Sequence, residues 1–364
     1  MTIQRQIGFW VATLLVIVAF LFILRDILLP FVAGLALAYL LDPLADRLER
    51  LRIGRLWATL IILGLFVLIF ILALVLLVPI ATSQLSAFID RLPPTVARLQ
   101  QLFAEQGGPL LEHLGGSEAL ANMQKSLGDV VSQGAKWLGA FLQSLWSGGQ
   151  AIVNVFALLV VTPVVAFYLL VDWDRMVATV DGWLPRRHRE TVRALVSEMD
   201  RAISGFIRGQ ALVCIILGTF YAVGLTALGL NFGALIGLVS GFLTFIPYVG
   251  SMTGLLLSAG VALVQFWPDW TMVAATLGIF FFGQFIEGNI LSPKLVGGAV
   301  GLHPVWLMFA LFAFGSLFGF VGLLLAVPLA AALGVLARFA IRQYLASPLY
   351  GTLTAPPPGP ETDA

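Results

Sequence analysis

Apolar residues in this chain lie in blocks rather than mixed evenly, and that arrangement limits its fold more than any other feature. The blocks run at about 8 to 24, 27 to 41, 57 to 79, 151 to 171, 207 to 228, 234 to 246, 252 to 266, 271 to 290, 304 to 318 and 322 to 337. With 60% of 364 residues hydrophobic and only 11% charged, a water-soluble fold could not bury so much apolar sequence. Lipid removes the difficulty, because an apolar run that closes its own hydrogen bonds as a helix needs no water. The fold class is therefore all-α: a polytopic helical membrane protein whose first partner is the lipid bilayer.

Charge and rare residues exclude several functions. Twenty basic and 19 acidic residues leave a net charge of +1, which supplies no field for gripping nucleic acid. Cys214 is the single cysteine, so no internal disulfide forms. His113, His188 and His303 are too scattered to place two metal ligands on one helical face, and neither a metal nor a cofactor is expected. Arg5 precedes the first apolar block as in a signal peptide, but the block ends at Arg25 and Asp26 without a small-residue cleavage site. It reads as a retained first transmembrane helix. The tail, 346 to 364, ends APPPGPETDA and has nothing to bury, so it reads as disordered.

A full crossing takes about 20 residues at 1.5 Å each. Segments 234 to 246 and 304 to 318 are shorter than that, and each is expected to pair with its successor as a hairpin. Basic residues set the orientation. Arg47, Arg50, Arg52 and Arg55 mark one cytoplasmic loop, and Arg175, Arg186, Arg187, Arg189, Arg193 and Arg201 mark another. Parity then brings the N-terminus, Lys294 and the C-terminal Arg338 and Arg342 to the same side. The resulting organisation is N-terminal transmembrane helices (1 to 79), an extracytoplasmic segment (80 to 150), a transmembrane helix (151 to 171), cytoplasmic amphipathic helices (172 to 206), a C-terminal bundle with hairpins (207 to 345) and the tail. Between 80 and 150, Leu120, Met123, Leu127, Val130, Leu138, Phe141 and Leu145 recur at helical spacing. That stripe needs a partner: the membrane interface, the bundle, or a neighbouring subunit.

Polar residues inside the apolar half carry the functional signal. Glu287 lies near the inner end of the 271 to 290 block, and an ionised carboxylate at a bilayer centre costs about 2.5 to 3.5 kcal/mol on insertion scales. Gln284 stands one turn before it on the same face, Asn289 follows, and Lys294 comes seven residues later. Glu287 is either a functional carboxylate facing a cavity or an interfacial one paired with Lys294 or Arg208. Arg208 can snorkel to the cytoplasmic interface, while Gln210 lies deeper.

Glycine and proline mark the expected breaks. Pro247 and Gly250 interrupt one stretch, Pro293, Gly301 and Pro304 a second, and Gly319 and Gly322 a third. Unwound backbone at membrane depth survives only where protein buries it or a wet cavity meets it, and transporters use such half-helix ends to hold solutes and ions. Close helix packing through small residues is the alternative. Short echoes, GLNFGALIGLVSGFLTFIP (229 to 247) with GLHPVWLMFALFAFGSLFG (301 to 319), also fit the internal repeats of transporters. No GxxxxGK[ST], HExxH or GxSxG pattern occurs, so neither a P-loop ATPase nor an intramembrane hydrolase is expected.

In order, AYLLDPL (38 to 44), FYLLVD (167 to 172), FIRGQ (206 to 210), FIPYVG (245 to 250), QFIEGN (284 to 289), SPKLVG (292 to 297), VGLHP (300 to 304) and GFVGLLLAVPLAA (319 to 331) resemble the autoinducer-2 exporter family of bacterial permeases. The resemblance implies a bacterial inner-membrane protein with about eight transmembrane helices, present as a homo-oligomer, of which a pentamer is one form. Some members export autoinducer-2 and others are described as sodium (lithium)/proton antiporters, so the expected partner is a small polar solute or a monovalent cation or proton. On this reading Glu287 carries the coupling ion and the hairpins gate it. A non-transporting scaffold or accessory subunit is the alternative from another class.

Overall fold

The computed structural model describes residues 8, 12–13, 16, 18–106, 149–296, 301–347 and 350, and among them no strand occurs. A 3₁₀ turn, Arg25–Ile27, leads into α1, Leu28–Arg50. The helices that follow are α2, Arg55–Gln106; α3, Gly149–Trp183; α4, Arg189–Ala227; α5, Gly233–Leu243; α6, Val249–Phe266; and α7, Trp270–Ile286. A π-helical stretch, Glu287–Val296, continues α7, and α8, Pro304–Leu345, closes the sequence of elements. Five helical stretches are long and apolar enough to cross a membrane: Leu28–Arg50, Arg55–Leu76, Arg186–Ala227, Trp270–Val296 and Pro304–Leu345. Phe242 is 71% exposed and Phe312 80% exposed. A surface carrying such side chains suits hydrocarbon, not water.

The expected border at residue 79 is not a helix end. α2 runs for 52 residues, against the roughly 20 a crossing needs. A fall in hydropathy marks where a helix leaves lipid, not where its hydrogen bonds stop. The amphipathic stripe from Leu120 to Leu145 and tail residues 351–364 lie outside the described residues.

Contacts divide the chain into two units, residues 26–173 with 210–292 and residues 1–25 with 174–209 and 293–364. In the first, Leu37, Ala38, Leu41 and Ala45 of α1 bury against Ile62 and Leu63 of α2 and Ala166 and Leu170 of α3. Arg55 pins one end of this core. It donates to Asp46 at 2.6 Å, to Asp42 at 2.7 Å and to the Leu170 carbonyl at 2.9 Å. Sequence placed Arg55 among the orienting charges; here it also ties three helices together.

The same unit holds a second cluster in which small residues bring backbones together. A Cβ at Gly241 would overlap the Gly218 backbone, and one at Gly237 would overlap Ala222, so α5 lies directly on α4. The α5–α6 turn follows the expected break: Tyr248 takes φ +69°, and Gly250 sits against Thr244.

In the other unit, α8 contains the third expected break. Gly319 has φ +60° and ψ −135°, a conformation that only glycine adopts readily. The chain doubles back there, because a Cβ at Gly315 would press on Leu323 and one at Gly322 would overlap the Phe314 carbonyl. The second expected break is placed differently. Pro293 does not end the helix but lies inside the π-helical stretch. Its ring excludes a regular turn beneath it and it has no N–H to donate, so the backbone widens instead. The helix restarts at Pro304, with the His303 ring nitrogen accepting from the Val305 N–H at 3.3 Å.

Candidate functional site

α4 and α7 run antiparallel through the first unit and set the geometry around Glu287. Gly224 faces Ile279, and the Tyr221 ring stacks on Phe280 with centroids 4.4 Å apart and planes 14° from parallel. Gly283 is what admits that ring, since a Cβ there would collide with it. Two turns earlier on α4, Cys214 comes within electrostatic reach of Glu287.

The Gln284 amide nitrogen donates to Glu287 Oε2 at 2.9 Å, so the expected same-face pair is formed. Both side chains are half-buried. Glu287 is the residue at which α7 gives way to the π-helical stretch. Such widened turns recur at functional sites, because they release backbone carbonyls from the regular ladder and re-aim the side chains beside them.

The other expected residues separate into distinct roles. Asn289 bends back on its own helix and donates to the Phe285 carbonyl at 2.9 Å. Gln210 is buried and donates to the Thr244 carbonyl at 2.6 Å, which braces the C-terminal end of α5 where the hairpin turns. Arg208 and Lys294 belong to the second unit. There a Cβ at Gly209 would overlap the Leu295 carbonyl, so Arg208 and Lys294 flank one close crossing of α4 with the π-helical stretch.

Two residues that the sequence did not single out matter here. Tyr221 is fully buried, and its hydroxyl finds no hydrogen-bond partner among the described residues. Gln265 accepts from the Asn231 N–H and donates to the Gly229 carbonyl, both at 2.7 Å, closing the loop between α4 and α5. An aromatic or an amide near the end of an apolar run looks ordinary. The readable signal is only that each carries polar atoms needing partners in a region without water.

Outside the membrane-spanning segments, Asp181 at the end of α3 accepts from Arg193 and from Arg189 at the start of α4. Arg193 first, and then Arg189, hold its carboxyl well below the usual carboxylate range. Glu198 of α4 pairs with Arg338 at 3.5 Å in the same unit. Arg189 and Arg193 of this basic segment are thus engaged by a carboxylate.

Two surface grooves are apolar. One, of about 450 Å³, is lined by residues including Leu60, Val67, Pro163 and Phe167, and the other, of about 560 Å³, by residues including Ile215, Phe220 and Val223. Neither includes Glu287, so these hollows suit acyl chains rather than a polar solute.

Comparison with known proteins gives a consistent result. A family model described as AI-2E family transporter matches residues 9–341. The chain is 31% identical over 322 residues to the provisionally named transport protein YrrI of Bacillus subtilis (strain 168), covering 87% of each chain. It is also 31% identical over 325 residues to the provisionally named permease PerM of Escherichia coli (strain K12), covering 88% of this chain and 90% of the relative. A second Bacillus subtilis protein, the provisionally named transport protein YueF, is 25% identical over 351 residues, which is 90% of this chain and 91% of that one.

Proposed function

The chain belongs to the AI-2E family of transporters, and on that premise we propose that it is a secondary transporter in which Glu287 binds and releases the coupling ion. The cargo in this reading is a small polar solute of the autoinducer-2 kind, moved out of the cell across the bacterial inner membrane by a homo-oligomer. The observation that carries it is the Glu287–Gln284 pair where α7 widens, in the same unit as the α5–α6 hairpin. A carboxylate in an apolar environment is costly when charged, and protonation or a bound cation removes the cost. The amide holds the carboxylate in place in either condition, because it can donate to the charged form and accept from the neutral one.

The glycine-broken hairpins supply the moving parts. In the α5–α6 turn, Pro247 and Gly250 bend the chain while Gln210 holds the α5 end. Gly319 and Gly322 make the turn within α8, with Gly301 and Pro304 leading into it and Pro293 widening the preceding helix. Asn289 belongs with the carboxylate in this reading, and Arg208 and Lys294 are proposed as the basic groups of the other unit. Unchanged flux on neutralising both Arg208 and Lys294 would remove them from the mechanism.

The test is flux in proteoliposomes under separate sodium and proton gradients, with autoinducer-2 as trial solute and Glu287→Gln beside the wild type. Gradient-driven solute efflux that falls at least about a hundredfold in the variant is expected, the loss of an obligatory charged group. Flux should also change with pH between about 5 and 9, as a titrating carrier requires. Cation–proton exchange without solute movement would assign sodium (lithium)/proton antiport instead. No flux of any kind in either protein would favour the scaffold reading.

A further inference from the structure

The buried hydroxyl of Tyr221 has no use in packing. The ring already fills its site by stacking on Phe280 and lying against Gly283, and a phenylalanine would do the same. A hydroxyl sealed in apolar surroundings is unfavourable unless it is paired, and at membrane depth water does not pair it. The hydroxyl lies against Gly283, whose neighbour on α7 is the polar Gln284, and it closes no hydrogen bond among the described residues. Gln284 meanwhile spends its amide N–H on Glu287, which leaves its carbonyl oxygen able to accept.

We propose that Tyr221 is a positioning residue for Glu287, acting through the Gln284 amide as the middle member of a buried three-residue chain. With Glu287 charged, the tyrosine hydroxyl donates to the Gln284 carbonyl oxygen and the Gln284 N–H donates to the carboxylate. With Glu287 neutral, its own O–H donates to the Gln284 carbonyl, and the Gln284 N–H turns to the tyrosine oxygen. Each of the three side chains keeps a hydrogen bond in both states, the tyrosine oxygen as donor in the first and as acceptor in the second, and passing between them requires only that the amide rotate and the hydroxyl turn. Cys214 is the other titratable side chain of α4 within reach of Glu287, and it is a weak donor that does not replace the phenol.

The functional arm of this inference rests on Glu287 being the ion carrier; the contact itself does not. Two measurements on the purified full-length chain separate them. The first is the infrared difference spectrum between wild type and Tyr221→Phe, which isolates the C–O stretch of this phenol, repeated in a Gln284→Met background. A hydrogen-bonded phenol signal that shifts in the Gln284→Met background is expected; an unchanged band overturns the proposal, whatever Glu287 does. The second is a double-mutant cycle on gradient-driven flux. Tyr221→Phe should lower flux about three- to tenfold, the worth of one hydrogen bond, and the loss should vanish when Gln284 is already methionine. Equal losses in both backgrounds mean that the hydroxyl acts by packing alone and overturn the positioning role. If Glu287→Gln transports like wild type, the carrier reading fails, while the spectroscopic result still decides the contact.

Discussion

Asp181 shows how one side chain fixes a corner. It is 16% exposed and receives two arginines from the far side of the α3–α4 turn. Its depressed carboxyl means that the folded chain binds this proton more weakly than the unfolded chain does. The contacts therefore contribute stability above the ordinary carboxylate pKa of about 4, and that contribution is lost as pH falls through the depressed value. Both arginines are partly in solvent, so the effect stays local. Asp181→Asn is expected to speed hydrogen exchange at residues 184–188 at neutral pH while leaving the thermal midpoint within about 2 °C of wild type. Identical exchange in the two proteins would show that the corner is held some other way. Among the site residues, Glu287 was legible because a charge in an apolar block is conspicuous, and Gln284 because it stands one helical turn away. Tyr221 was not, since its meaning depends on which residue of α7 faces it.

At the scale of elements, the hairpins rest on glycines with two different tasks. Gly319 is needed for its dihedral angles: nothing stands within 4 Å of a Cβ there, yet φ is +60°. Gly319→Ala should cost roughly 1 to 3 kcal/mol through backbone strain alone. Gly241 is needed for closeness, since the Gly218 backbone occupies the space of any side chain. Gly241→Val should force α4 and α5 apart and cost at least about 1 to 3 kcal/mol. Gly260 of α6 has neither demand, and Gly260→Ala should be neutral or stabilising by up to about 1 kcal/mol. Thermal unfolding of the three variants in one detergent checks the order; a loss at Gly260 as large as at Gly241 would contradict it. Sequence marked the breaks at 245–254 and 315–322 because glycine and proline cluster there. It left open what Pro293 does within the stretch 292–304, because a proline can widen a helix as well as end it, and the choice depends on whether neighbouring elements hold the far side. Gly209 against the Leu295 carbonyl is such a hold.

For the whole molecule, the arrangement of basic residues leads to a topology that can be measured. Cysteines introduced at Arg187 and Ser347 should react with an impermeant maleimide only when the cytoplasmic face is open, in a background where Cys214 is replaced by serine. Labelling of either in intact cells would reverse the orientation. The sequence by itself determined the solvent of this protein, its helical class, its hairpins and its one conspicuous carboxylate. These follow from composition and local spacing, because a helix in lipid must satisfy its own backbone and must face hydrocarbon with apolar side chains. Only the tertiary structure decided that Gln210 braces the α5 hairpin, that Arg55 joins α1, α2 and α3, and that Tyr221 lies over Gly283 beside Gln284. Each of those pairs residues far apart in the chain. Their meeting depends on the register between helices, which small residues set by contact and which no local pattern encodes.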